Sequence, residues 1–100
     1  MTVLLKTPFN EWQLVDLKLT KGALNTVLSG EFECWDLRPG VTIVYNPLGA
    51  ARGMPYSCRC RKKDMIFFGN VLVVGTDRKT GKLTNAPEWV IQFYKDWSAA

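Results

Sequence analysis

The chain has 100 residues, 47% hydrophobic and 22% charged, with a formal net charge of +4 and no histidine. That profile fits a single globular domain over residues 1–100, large enough for one core without disulfides or metal, and excludes disordered and fibrous classes. No apolar run approaches the roughly 18 residues needed to cross a bilayer. Asn10, Glu11 and Gln13 interrupt the N-terminal apolar residues before a secretory core forms, so a cytoplasmic protein with no membrane contact is expected.

In chain order, Val3–Lys6 reads as a first strand ended by Thr7-Pro8, because proline cannot donate to a ladder. Trp12–Leu19 alternates Val15, Leu17 and Leu19 against Asp16 and Lys18, the period of a half-buried second strand. Thr20 is an N-cap for a short helix carrying Ala23, Leu24, Val27 and Leu28 at helical spacing, and Gly30 can take the left-handed conformation that ends it. Glu31–Leu37 returns to alternation, with Phe32 and Cys34 on one face and Glu31 and Glu33 on the other. Arg38-Pro39-Gly40 is a turn by its chemistry, which makes Val41–Tyr45 the return arm of a hairpin.

Asn46-Pro47-Leu48-Gly49 forms another turn, and Ala50–Lys63 has no clean period, so a loop is expected there. Met65–Val74 is apolar on both faces, as a central strand covered on both sides requires, with a bulge or a close backbone approach expected at Gly69-Asn70. A polar turn at Asp77–Lys82 leads to a short edge strand at Lys82–Thr84. Asn85 as cap, Pro87 in the first turn and Glu88 three residues after the cap then announce a C-terminal helix. Its stripe of Trp89, Val90, Phe93, Tyr94 and Trp97 is expected to pack in the core. The expected class is α+β: a mainly antiparallel five- to six-stranded sheet with one short helix and a C-terminal helix packed on a face.

Four segments carry a resemblance: LNTVLSGEFE (Leu24–Glu33), VTIVYNPLG (Val41–Gly49), GMP (Gly53–Pro55) and GNVLVVG (Gly69–Gly75). Together they resemble a family of small phage and mobile-element proteins, the domain of unknown function numbered 3846. Its members run helix, Gly-Gly-x-Ile-Glu, strand, Asn-x-x-Gly turn, Gly-x-Pro and an apolar strand ending in glycine. Here Ser29-Gly30 stands where the family usually has two glycines, and Tyr56-Ser57-Cys58 replaces the Asn that commonly follows Gly-x-Pro. No catalytic motif comes with the resemblance. It implies a phage or prophage accessory protein acting inside a bacterial cell.

The residues themselves argue against catalysis. Without histidine there is no Ser-His or Cys-His nucleophile pair. Glu31, Glu33 and Asp36 cluster on one hairpin, but Glu31 and Glu33 share a strand face and read as a solvated outer surface. The glycines match neither GxGxxG nor GxxxxGK[ST]. Cys34, Cys58 and Cys60 are an odd number, which favours reduced thiols, and three cysteines without histidine fall short of a four-ligand zinc site. Neither an enzyme nor a cofactor or metal is expected.

Charge distribution is the stronger signal. Between Arg52 and Lys82 eight basic residues face two acidic ones, while the rest of the chain has an excess of two acids. Arg52, Tyr56, Arg59, Arg61, Lys62 and Lys63 form the candidate binding set, with Phe67 and Phe68 beside it. A solvated loop that aids solubility is the plain alternative.

Three functions remain open at this stage. The resemblance and the missing catalytic residues together imply a protein that binds a host factor and counteracts a defence system by occlusion. The basic loop suggests nucleic-acid binding instead, or sequestration of a small anionic nucleotide between subunits. Four tryptophans leave room for a homo-oligomeric aromatic interface.

Overall fold

The computed structural model describes residues 1–60 and 64–92. The elements run β1 (Thr2–Lys6), β2 (Gln13–Asp16), α1 (Lys21–Val27), β3 (Glu33–Arg38), β4 (Val41–Tyr45), β5 (Tyr56–Cys60), β6 (Met65–Phe68), β7 (Val71–Thr76), β8 (Leu83–Thr84) and α2 (Glu88–Gln92). Six strands form one antiparallel sheet in the order β2-β1-β7-β4-β3, with β8 paired to the end of β7. β5 and β6 pair with each other in a separate two-stranded sheet. The class is α+β, with a mainly antiparallel sheet and two short helices, as the strand and helix patterns indicated.

Alternation along the strands divides the core between the two faces of the large sheet. On one face Val3, Val44, Leu72 and Val74 pack with Leu24 and Leu28, from α1 and its C-cap; Val15, Leu17 and Leu19 flank them. On the other, Leu4, Ile43, Tyr45, Val71 and Val73 pack under Cys60 and Phe67 of the β5–β6 hairpin and Val90 of α2. β7 lies at the centre, and Val71 to Val74 are buried without exception because layers cover both faces. At roughly 1.5–3 kcal/mol for each fully buried aliphatic side chain, these contacts hold α1 and the hairpin in place. Tyr45 and Phe67 meet edge to face at 4.9 Å across the layers.

Local chemistry accounts for most boundaries. The Thr20 hydroxyl accepts from the Ala23 amide at 3.2 Å and starts α1. Gly40, at φ 82°, lets Pro39-Gly40 close β3 onto β4 with Arg38 opposite Val41. The Gly49 amide donates to the Asn46 carbonyl, closing the second turn.

Four expectations are corrected. Met65–Val74 is not one strand with a bulge: Gly69, at φ 82°, turns the chain out of the small sheet and into the large one. The stretch expected as loop contains β5, whose period is broken by a register shift between Tyr56 and Cys58. At the end of α1 it is Ser29, at φ 60°, that enters the left-handed region, with Gly30 following at φ 138°. Asn85 does not cap α2, because its Oδ1 accepts the Thr2 amide at 2.7 Å, and the helix begins at Glu88. Of the C-terminal aromatic stripe, Val90 is buried and Trp89 is exposed; Phe93, Tyr94 and Trp97 lie outside the described residues.

Candidate functional site

The segments that carry the family resemblance converge on the C-terminus of α1. The Gly30 amide donates to the Asn25 carbonyl at 2.9 Å and the Ser29 amide to the Thr26 carbonyl at 3.4 Å, a Schellman closure. Three side chains then take up the last carbonyls. Asn70 Nδ2 donates to Val27 at 2.9 Å, Asn46 Nδ2 to Leu28 at 3.0 Å, and Arg52 Nη1 to Ser29 at 3.2 Å. A cation at a helix C-terminus also complements the macrodipole. Asn46 is buried, and its Oδ1 accepts the Leu48 amide at 2.9 Å, so this side chain fixes both the turn and the helix.

Arg52, an exposed side chain of the basic set, therefore also serves the scaffold by holding the Ser29 carbonyl. Phe67 is buried on the inner face of the β5–β6 hairpin. Arg61, Lys62 and Lys63 lie outside the described residues. Tyr56 and Arg59 do share a surface. On β5–β6 the pairs Cys58↔Phe67 and Cys60↔Met65 face the core, which leaves Tyr56↔Phe68 and Arg59↔Ile66 on the outer face. Tyr56 and Ile66 are 55% and 54% exposed, and Tyr56 meets Phe68 edge to face at 6.3 Å. Arg59 is ion-paired to Asp64 at 2.8 Å, with both side chains largely in solvent.

Sequence reading missed one residue near this end of the large sheet. Thr7-Pro8-Phe9-Asn10 is a tight turn in which the Asn10 amide donates to the Thr7 carbonyl at 3.2 Å and Asn10 Nδ2 to the Thr7 hydroxyl at 2.9 Å. Proline occupies the second position and Phe9, at φ 70°, the third, where a turn of this kind ordinarily carries Gly or Asn. Phe9 is 89% exposed. The signal that could have found it is proline followed by a bulky residue where the turn demands positive φ. Lys6 pairs with Val71, immediately after the Gly69-Asn70 link from β6, and its ammonium lies close enough to act on the Cys58 thiol. The Phe9 turn and the hairpin thus leave the large sheet at the same end.

The thiols are unpaired. Burial pushes Cys58 up to about 11, opposed by Lys6, and burial with Asp36 beside it raises Cys34. Neither is a ready nucleophile at neutral pH. Among the described residues no three His, Cys, Asp or Glu side chains cluster as metal ligands. No helix among them is long and apolar enough to cross a membrane. The chemistry on offer at the outer face is contact: two exposed apolar side chains, an aromatic edge and an exchangeable ion pair.

No curated protein and no solved structure matches the chain. A family profile does, over residues 1–99, and it spans the capped helix, both sheets and the Phe9 turn alike: the chain belongs to the family described as domain of unknown function 3846 (DUF3846).

Proposed function

We propose that this protein is a non-enzymatic binding module that docks a protein partner through the Phe9 turn and the outer face of the β5–β6 hairpin. The observation that carries this reading is Phe9. A non-glycine residue in the left-handed region costs roughly 1–2 kcal/mol, and a side chain 89% exposed recovers almost none of that by burial within the monomer. Strain of this kind persists at ligand clamps and contact sites. Tyr56 and Arg59 are residue types enriched at protein interfaces and their hot spots, and Ile66 adds exposed apolar surface.

The partner fitted to this surface presents an apolar pocket rimmed by carboxylates. The chain carries +4, and an exposed ion pair such as Arg59–Asp64 contributes about 0–1 kcal/mol, so a partner's carboxylate displaces Asp64 at small cost. The phage setting implied by the resemblance makes that partner a host protein and occlusion the mode of action. Single-stranded nucleic acid fits less well: Arg52 is engaged by a carbonyl, and Ile66, paired with Arg59, offers no ring face for a base.

The test compares wild type with Phe9→Gly. A host protein retained by the first and lost from the second, and binding at least tenfold more weakly to Phe9→Gly after purification, supports the reading. Equal binding by both, or binding only to oligonucleotides with a steep fall as salt rises, refutes it.

A further inference from the structure

At the opposite end of the large sheet, the β3–β4 turn and the turn between β7 and β8 close around an open cleft of about 600 Å³. The two turns are tied together by the Thr76 amide, which donates to the Gly40 carbonyl at 3.1 Å. Asp36, Arg38, Thr76, Asp77 and Arg78 supply its polar lining. The volume falls within the range of small-molecule sites, roughly 300–1,000 Å³.

Both carboxylates in the cleft are hydrogen-bonded to the framework by neutral donors and oppose Arg38 and Arg78 in formal charge, so that the positive excess comes from Lys79 and Lys82 on the turn between β7 and β8. Asp36 accepts the hydroxyl of buried Thr42 at 3.0 Å, and Thr42 is in turn hydrogen-bonded to the Thr76 hydroxyl. Asp77 accepts the Lys79 amide at 2.8 Å, fixing its own turn. The salt bridges among the described residues, Met1–Asp16 and Arg59–Asp64, lie elsewhere. Neither guanidinium in the cleft is therefore ion-paired among the described residues. Arg38 is instead held over the Trp89 ring at 5.5 Å, which orients it without neutralising it. Lys79 and Lys82, on the same turn as Arg78, add to the positive potential.

We propose that this cleft binds the phosphoryl group of a small molecule between Arg38 and Arg78. Arg38 and Arg78 line the cleft from different turns, and two planar five-donor forks on one anion call for more than two acceptor oxygens. A carboxylate satisfies one fork, whereas a terminal phosphoryl group, with three oxygens and nearly two charges, satisfies both. The site is independent of the Phe9 surface and stands whether or not a protein docks there.

The experiment titrates the purified chain with inorganic phosphate and, separately, with ADP at constant ionic strength, followed by calorimetry and by the arginine side-chain N–H resonances. Saturable binding of either probe is expected, with the tighter one showing whether free phosphate or a phosphorylated organic molecule is the natural occupant. Arg38→Gln and Arg78→Gln should each weaken it at least about tenfold, the effect of losing a charge-assisted hydrogen bond. Arg78 has no hydrogen bond or ion pair among the described residues, so Arg78→Gln leaves the fold intact and its readout stands alone. Succinate should bind at least about tenfold more weakly than the better phosphoryl probe. No saturable binding of either probe at about 10 mM, equal binding by Arg78→Gln, or succinate binding as well as phosphate overturns the proposal.

Discussion

Replacing Phe9 with glycine should stabilise the isolated protein while weakening its interaction with a partner. The backbone at φ 70° costs a non-glycine residue roughly 1–2 kcal/mol, which glycine removes. Glycine returns about 0.4–1 kcal/mol of that through the greater freedom of the unfolded chain. The ring buries only about a tenth of its surface; on a side chain of about 200 Å² that is worth about 0.5 kcal/mol. The balance is a gain of about 0.3 kcal/mol, or a Tm increase of about 1–2 °C for a domain of this size. Phe9→Ala removes the ring but keeps the strain, so it should lie below Phe9→Gly by about 0.5–1 kcal/mol. Urea unfolding of the three proteins with unchanged m-values measures both differences. Destabilisation of Phe9→Gly by about 1 kcal/mol or more would show that Phe9 packs within the monomer, and the argument from exposed strain would fail.

Asn46→Ala removes the donor to the Leu28 carbonyl and the acceptor of the Leu48 amide together, at a buried position. A loss of about 2 kcal/mol and a Tm lower by about 10 °C are expected in a thermal melt, whereas exposed Arg52→Ala should cost under about 1 kcal/mol. Ser29→Gly relieves a left-handed serine at the α1 terminus and should raise stability by about 0.5–1 kcal/mol in denaturant titration. Burial lifts Cys58 from 9.0 to about 11, so the unfolded chain releases this proton first. Its contribution is intact below about pH 9 and lost as pH rises through about 11, a decline of up to roughly 2–3 kcal/mol. Cys58→Ala should flatten that alkaline limb relative to wild type; parallel pH profiles of the two would contradict the assignment.

The fold was legible wherever local chemistry and period agreed. Thr20 and Pro39-Gly40 each have one physical reading, and the cap and the hairpin lie where that reading puts them; of the doubly apolar stretch Met65–Val74, only Val71 to Val74 lie in the central strand. β5 was hidden because the register shift beside Ser57 cancels the two-residue alternation that identifies a strand. The break at Gly69 was read as a bulge or a close backbone approach because apolar residues on both sides look alike whether the chain continues or turns into another sheet. The structural task of Arg52 was hidden for a different reason: charge counting along a sequence cannot see a carbonyl 23 residues away that needs a donor. Asn46 and Asn70 stood out as residues of a turn and of an expected irregularity, and their task at the end of α1 exists only once the chain has folded. On the proposed surface, Tyr56 and Arg59 are the residues that aromatic and basic character singled out in the sequence, while Ile66 and Phe9 were passed over as ordinary apolar residues.

The central claim is that the Phe9 turn touches a protein partner. A photo-reactive phenylalanine analogue placed at position 9, and in a second protein at exposed position 18 as a control, can be irradiated in host extract and the adducts mapped by mass spectrometry. The expected result is one host protein captured from position 9 and not from position 18, attached through residues lining an apolar pocket, with capture suppressed by excess wild type and not by excess Phe9→Gly. Capture of the same set of proteins from both positions, or equal suppression by the two competitors, would contradict the claim.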